Sequence, residues 1–343
     1  MAGRRVKISD IARQAGVSAT TVSHIFNGRA RQYRIAESTR QRVLTIAGQY
    51  REQLHIQRAI IKANSTRTIG VIVPDMSNFS FAIFLHKLES LARANGIQLL
   101  IACSHYDRQQ EISVVHNLLE RKVDGLIIIS SLEDDSLYQQ INPTTPILLY
   151  DRYIQNSPLP FVTSESVETV ANLIAQKAVQ FDEFWFLGGD SELSSINERL
   201  QGFKLGLKKA GRQLDPQWIV CDSYRENLGF HLMENIHRRI GRLPQAVFTP
   251  SGNLLEGVLL YLTNHNVARQ DIYLCTYDYN QYLNYLAYDI DIISQNYDEM
   301  ASCCFNNIQR LINRFSLPNQ AVYIKPQILP AKKASRKASG SQS

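Results

Sequence analysis

Two sets of side chains in this chain are placed to do chemistry, and in both cases it is the chemistry of binding. Between Ser18 and Phe26 stand Ala19, Thr20, Thr21, Ser23 and His24, which a helix would leave open if Val22 and Ile25 pointed inward. Small side chains let a backbone approach a groove closely, and Thr or His can reach base edges or phosphates. The second set follows short apolar runs: Asp75 after 68–73, Ser104 after 97–102, Asp151 and Arg152 after 147–150, and Asp278 after 272–277. Asn78-Phe79-Ser80-Phe81 opens a helix just beyond Asp75, and Arg199 lies on the first turns of another. Carboxylates accept paired hydrogen bonds from sugar hydroxyls, while Arg offers a planar fork to hydroxyl, carboxylate or phosphate. Aromatic rings such as Phe79, Phe81 or Tyr224 can lie against the apolar face of a sugar ring. Each residue also has a plainer reading: Asp151 could cap a turn, Arg199 could pair with Glu198 or Glu192, and Tyr224 could be core.

Signatures of catalysis are missing. There is no P-loop, no Gly-x-Gly-x-x-Gly, no Gly-x-Ser-x-Gly elbow and no His-Glu-x-x-His. The five cysteines are scattered rather than set at metal-ligand spacing, and an odd count reads as reduced thiols. The expectation is therefore no enzyme, no metal and no cofactor. A sugar-handling enzyme with a fused DNA-binding head is the rival reading, but it needs a base or nucleophile that the sequence does not offer.

The first set needs two short helices to position it. Ile8, Ile11, Ala12 and Ala15 repeat at helical spacing, Gly16 is suited to a helix end, and Ser18 is suited to capping the next helix. Two helices joined by a short Gly-containing turn are a helix-turn-helix, whose second helix enters the major groove. A third helix is expected over 37–49, capped near Ala36–Ser38 and packed through Val43, Leu44 and Ala47. Between them the basic loop 29–35 offers Arg31 and Arg34, with Arg40 beyond it, to phosphates.

Charge follows the same division. Residues 1–68 carry thirteen Lys and Arg against three acidic residues, a net of +10; from Lys325 onward there are five more basic residues and no acid. The middle, with nineteen basic and twenty-eight acidic residues, is −9, so a basic head sits on an acidic body, as in a protein that grips a polyanion at one end. No secretory signal or long apolar run is found, and a cytoplasmic protein without membrane contact is expected. A periplasmic-type sugar-binding protein would need a signal peptide in place of the basic head.

The second set needs strands. Apolar runs at 68–75, 97–102, 123–129, 147–150, 183–188, 217–221, 245–249, 272–277 and 290–294 alternate with helical stretches. That alternation predicts doubly wound parallel sheets, and about nine strands suit two lobes better than one. The expected division is a head over 1–50, a linker over 51–67, a body over 68–330 and a disordered basic tail over 331–343. Within the body, lobe one takes about 68–160 and 292–320, and lobe two about 161–291 and 321–330. Ligands in such folds sit at the carboxyl ends of strands, here between the lobes.

Ile-Ser-Asp-Ile-Ala-Arg-Gln-Ala-Gly-Val-Ser-x-Thr-Thr-Val-Ser, from Ile8 to Ser23, resembles the DNA-binding head of the lactose/purine repressor family of bacterial transcription regulators. The loop Asn-Gly-Arg-Ala-Arg-Gln-Tyr-Arg-Ile is similar to its sucrose and fructose operon repressor branch. The resemblance implies operator contacts from Ser9, Asn27 and Tyr33 in addition to the residues above. It also implies a hinge helix within 50–67, with Ile61 as minor-groove wedge and Arg58 and Lys62 on the flanking phosphates. Here the chain departs from the family: the usual Tyr-x-Pro-Asn opening is Glu52-Gln53-Leu54-His55, and Ile stands where Leu is usual. In the body the resemblance assigns Arg199, Asp278, Tyr224 and Gln295 to an effector, and Asp151-Arg152 to a sugar and its phosphate. Ser251-Gly252 replaces a common Asn-Asp pair, a departure that suits the sucrose/fructose branch. The implied protein is a homodimeric repressor of sucrose or fructose genes, released from double-stranded operator DNA by fructose or fructose 1-phosphate. A broader carbon-metabolism regulator of the fructose type is the alternative. The tail has no Leu after Leu329 for the heptad helix through which some members tetramerise.

Overall fold

A computed structural model describes residues 8–26, 30, 33–49 and 65–331, in two compact units, head and body. The head has α1 (Ile8–Ala15), α2 (Ala19–Phe26) and α3 (Glu37–Gln49). Gly16 adopts φ +62°, the left-handed geometry that lets the chain leave α1, and Val17 N–H donates back to the Ala12 carbonyl at 3.0 Å. Ser18 Oγ then accepts the Thr21 N–H at 3.0 Å, capping α2 as its residue type predicts. Ile11, Ala12, Ala15, Val22, Ile25, Val43 and Ala47 form the core that these helices share, joined by Ala30. Leu44, expected inside, is 38% exposed, and the inward position on α3 is filled by half-buried Ile46 instead. Val43, Ile46 and Ala47, at positions i, i+3 and i+4, form the stripe that packs, and Leu44 falls off it. The side chain of Ile8, the linker residues 50–64 and the tail 332–343 lie outside the described residues.

The body is two stacked α/β lobes. The first comprises β1 (Thr68–Val73), α4 (Phe79–Ala94), β2 (Gln98–Cys103), α5 (Arg108–Glu120), β3 (Gly125–Ile128), α6 (Ser136–Ile141), β4 (Ile147–Tyr150) and β5 (Phe161–Ser164). The second comprises α7 (Val167–Ala178), β6 (Trp185–Gly188), α8 (Ser194–Lys209), β7 (Ile219–Cys221), α9 (Leu228–Ile240), β8 (Ala246–Thr249), α10 (Gly252–Asn264), β9 (Tyr273–Tyr277) and β10 (Ile290–Ser294). The chain then returns to the first lobe with α11 (Tyr297–Ile312) and β11 (Ala321–Ile324), and ends in the second with β12 (Gln327–Leu329). The strand orders are β11-β5-β4-β3-β1-β2 and β12-β10-β9-β8-β6-β7.

Central strands β1, β3, β4, β6 and β8 are buried almost throughout, because helices cover both faces of each sheet. In the first lobe α4 and α11 pack on one face through Phe84, Leu88, Met300 and Ile308, and α5 packs on the other through Val114, Val115 and Leu118. In the second lobe α7 and α8 cover one face and α9 and α10 the other. The cysteines are free thiols, with Cys275 and Cys304 in the core.

The lobe boundaries require correction. Residues 161–164 belong to the first lobe, since β5 pairs in parallel with β4 and β11. Ser294 still pairs in the second sheet, so the return begins after it, and β11 lies in the first sheet rather than the second. Short strands next to a crossing carry no periodicity that assigns them to one sheet over the other. The three connectors, 165–166, 295–296 and 325–326, run side by side: Ile324 lies opposite Ser164, Ser294 opposite Gln327, and Glu165 N–H donates to the Ile324 carbonyl at 2.8 Å.

Candidate functional site

In the head, Ala19 and Thr20 are exposed on α2, Thr21, Ser23 and His24 are half-buried, and Ser9 is exposed on α1. The His24 ring stacks on Tyr33, centroids 3.6 Å apart, so Tyr33 packs against the helix and fixes the imidazole. Tyr33 and Arg34 remain exposed, Arg34 at φ +52°. Arg40, proposed for phosphate, pairs with Glu37 at 2.6 Å. Asn27, Arg31, Arg58, Ile61 and Lys62 lie outside the described residues.

The body brings most of the second set together where the two sheets' carboxyl ends face each other. Asp151 and Asp278 follow β4 and β9, one in each lobe, and both adopt left-handed backbone, φ +61° and +76°. That conformation strains a side-chain-bearing residue and is held by its surroundings: Asp151 N–H donates to Val162 and Asp278 N–H to Ile293 across the sheets, each at 2.9 Å. Turning the chain at these points aims both carboxylates into the cleft.

Arg199, on the first turns of α8, is 3% exposed. Its Nη1 donates to the Pro250 carbonyl at 2.6 Å, its Nη2 reaches Asp151 Oδ1 at 3.4 Å, and its plane lies 3.8 Å from the Tyr277 ring centre. Burial works against its charge, but Asp151, Tyr277 and Asp278 more than restore it and hold the pKa above its ordinary value. The Asp151 carboxyl is pushed up by burial, and Arg199 and Arg152 offset part of that. Arg152 is buried beside Tyr106 and Phe81, its guanidinium 5.4 and 5.9 Å from the ring centres, with Nη1 3.5 Å from Ser131 Oγ. Asp278 Oδ1 accepts from Gln295 Nε2 at 2.6 Å and from the Tyr297 hydroxyl at 3.1 Å, and the Tyr297 oxygen lies 2.9 Å from the Ser80 hydroxyl. Arg152 Nε, Arg199 Nε and Gln295 Oε1 are buried without a hydrogen-bond partner, so the group keeps unused hydrogen-bonding capacity.

These residues, with Ser251 and Tyr224, enclose a space of only about 20 Å³. Tyr224 stacks on Tyr106 at 4.8 Å across the cleft, and the same two rings wall a larger cavity of about 410 Å³ into which Asp75 faces. Two expected residues sit elsewhere, and a third supports the group. Phe79 is turned toward α10 and lines a separate small recess beside Tyr282 and Leu283. Ser104 is fully buried behind β1, its hydroxyl without a partner. Gln295 lies in the second connector and holds Asp278 from behind.

Sequence reasoning missed Tyr106, Ser195, Tyr277 and Tyr297. Ser195 lines the inner space with Asp151, and Tyr277 supplies the surface under Arg199. Tyr277 reads as one more apolar strand residue, and Tyr106 stands two residues beyond Ser104 in a left-handed loop that periodicity does not mark. The rule that ligands sit past strand carboxyl ends could have reached Tyr106. Among the described residues, no group of three or more His, Cys, Asp or Glu could hold a metal ion, and no helix is long and apolar enough to cross a membrane.

A helix-turn-helix ahead of two parallel-sheet lobes that close on buried arginines and aspartates defines a ligand-responsive DNA-binding regulator. Residues 7–50 match the model of the bacterial regulatory proteins, lacI family, and residues 66–281 match the periplasmic binding proteins and sugar binding domain of the same family; the chain belongs to the LacI family. It is 40% identical over 314 residues to the sucrose operon repressor of Klebsiella pneumoniae, covering 91% of this chain and 94% of that protein. It is 31% identical over 310 residues to the fructose operon regulatory protein of Vibrio cholerae, covering 86% and 90%. Among solved structures it resembles the Cra transcriptional dual regulator of Pseudomonas putida in complex with fructose 1-phosphate, with a TM-score of 0.71 and 26% identity over 78% of this chain and 99% of that one. These relatives are transcription regulators, not enzymes, and this chain is a repressor-type, DNA-binding and sugar-binding regulator.

Proposed function

We propose that the chain is a homodimeric cytoplasmic repressor of a sucrose or fructose utilisation operon, released from operator DNA by fructose or fructose 1-phosphate. The observation that carries this reading is the pair of buried arginines, Arg152 and Arg199, set against Asp151 and Asp278 where the two lobes meet. Carboxylates and guanidinium groups in that arrangement match the alternating donors and acceptors of a ketose, and the arginines add the positive charge that a phosphate requires. The kinship with a sucrose operon repressor and a fructose operon regulatory protein supports the same sugar class. Each head would read one half-site, and the paired hinges would kink the step between them. An effector that favours one angle between the lobes weakens DNA binding by its differential affinity for the two states, typically about 1–3 kcal/mol.

The test is Arg199→Ala, assayed for operator binding and effector release by fluorescence anisotropy. Operator binding should persist while release by fructose or fructose 1-phosphate disappears. Release at unchanged effector concentration would remove Arg199 from the site.

A further inference from the structure

We infer that the cleft has a second, outer subsite that takes a neutral glycosyl ring, so that the preferred effector is a glycoside extending past the inner Asp/Arg group. This rests on the reading of the inner group as the effector site. The inner space, at about 20 Å³, holds little more than a water molecule between the lobes as they stand. The outer cavity, at about 410 Å³, falls in the range of small-molecule sites. The stacked pair Tyr106 and Tyr224 borders both spaces, so a molecule running from one to the other passes along two aromatic rings.

Charge selects the occupant. Asp75, Glu226 and Glu256 bring carboxylates to the outer cavity, and the arginine on its wall, Arg225, is already paired with Asp222 at 2.9 Å. Glu256 keeps one oxygen on the Tyr282 hydroxyl at 3.0 Å and Asp75 accepts from Ser77 at 2.7 and 2.8 Å, which fixes both carboxylates while leaving them further lone pairs. A phosphate there would face like charge. Sugar hydroxyls would donate to these oxygens, and the apolar face of the ring would rest on tyrosine, the pairing that the two parts of the wall provide. The inner arginines and outer carboxylates therefore sort a two-part ligand by polarity: any anionic or ketose end goes inward and a neutral ring goes outward.

The test is calorimetric titration of the full-length protein with sucrose, fructose and fructose 1-phosphate, in wild type, Glu226→Ala, Glu256→Ala and Arg199→Ala. Both glutamates are exposed, so these variants should fold. Sucrose is expected to bind wild type more tightly than fructose does, and each glutamate variant should weaken sucrose about tenfold while leaving fructose unchanged. Equal binding of sucrose and fructose, or glutamate variants that change neither, would overturn the outer subsite. If fructose or fructose 1-phosphate still binds and depends on Arg199, the inner site stands alone. If no sugar binds wild type, or binding is indifferent to Arg199, the effector reading falls with it.

Discussion

Glu111 lies on α5 with its carboxylate sealed from solvent, one layer behind Arg152. Its Oε1 accepts from Ser130 Oγ at 2.7 Å and from the Tyr138 hydroxyl, and its Oε2 accepts the Ser131 N–H at 2.8 Å. Burial pushes its pKa above the ordinary glutamate range, and the three hydrogen bonds and Arg152 recover only part of that. The native state therefore holds this proton at pH values where the unfolded chain has released it. Stability from this group is complete below the unfolded pKa and drains as pH rises through the raised folded value. Urea midpoints across pH 4 to 8 should show that decline, and Glu111→Gln, which cannot titrate, should flatten it; an unchanged slope would mean that Glu111 ionises normally. Nothing in the residues around 111 foretells this, because Ser130 and Ser131, past β3, and Tyr138, on α6, reach it only when the sheet forms. Asp151, Arg152, Arg199 and Asp278 were legible for the opposite reason: each stands at a strand end or a helix start that the apolar pattern itself marks.

Among the elements, the second lobe depends on how closely α9 and α10 approach. A Cβ on Gly229 would lie 2.0 Å from the Leu254 carbonyl oxygen, and one on Gly257 would lie 2.6 Å from the Phe230 nitrogen, with backbone as the obstacle in both cases. Gly229→Ala should therefore destabilise by roughly 2 kcal/mol or more, despite removing a helix-weakening glycine, because the helices must separate to admit the methyl group. A thermal melt of the variant checks this, and an unchanged midpoint would show that the pair has slack. At the other end of the chain, Ser18→Ala removes the α2 cap and should lower head stability by about 1 kcal/mol, read as lower operator affinity with unchanged sugar binding. The cap and the glycine turn were readable because they are local chemistry. The contact at Gly229 and the sheet membership of β5, β11 and the end of β10 were not, since both depend on which distant segment comes to lie alongside.

Across the whole molecule, charge separates two functions. The stretch through residue 68 carries +10 while the middle of the chain carries −9. Operator affinity should fall by about a thousandfold or more between 50 and 200 mM salt, as for proteins making six or more phosphate contacts, whereas fructose binding at the charge-balanced cleft should hardly move. Anisotropy and calorimetry on one preparation would show the contrast, and a flat salt dependence for DNA would deny the head its phosphate contacts. The side-by-side connectors at 165–166, 295–296 and 325–326 have a mechanical consequence. A single tether would let the lobes swivel and slide, but parallel straps along one edge act like a door's butt hinge, leaving one easy rotation and resisting shear. Whatever closes on a ligand in the cleft can spend its binding energy only on that angle, so occupancy is converted into one coordinate rather than dissipated among many.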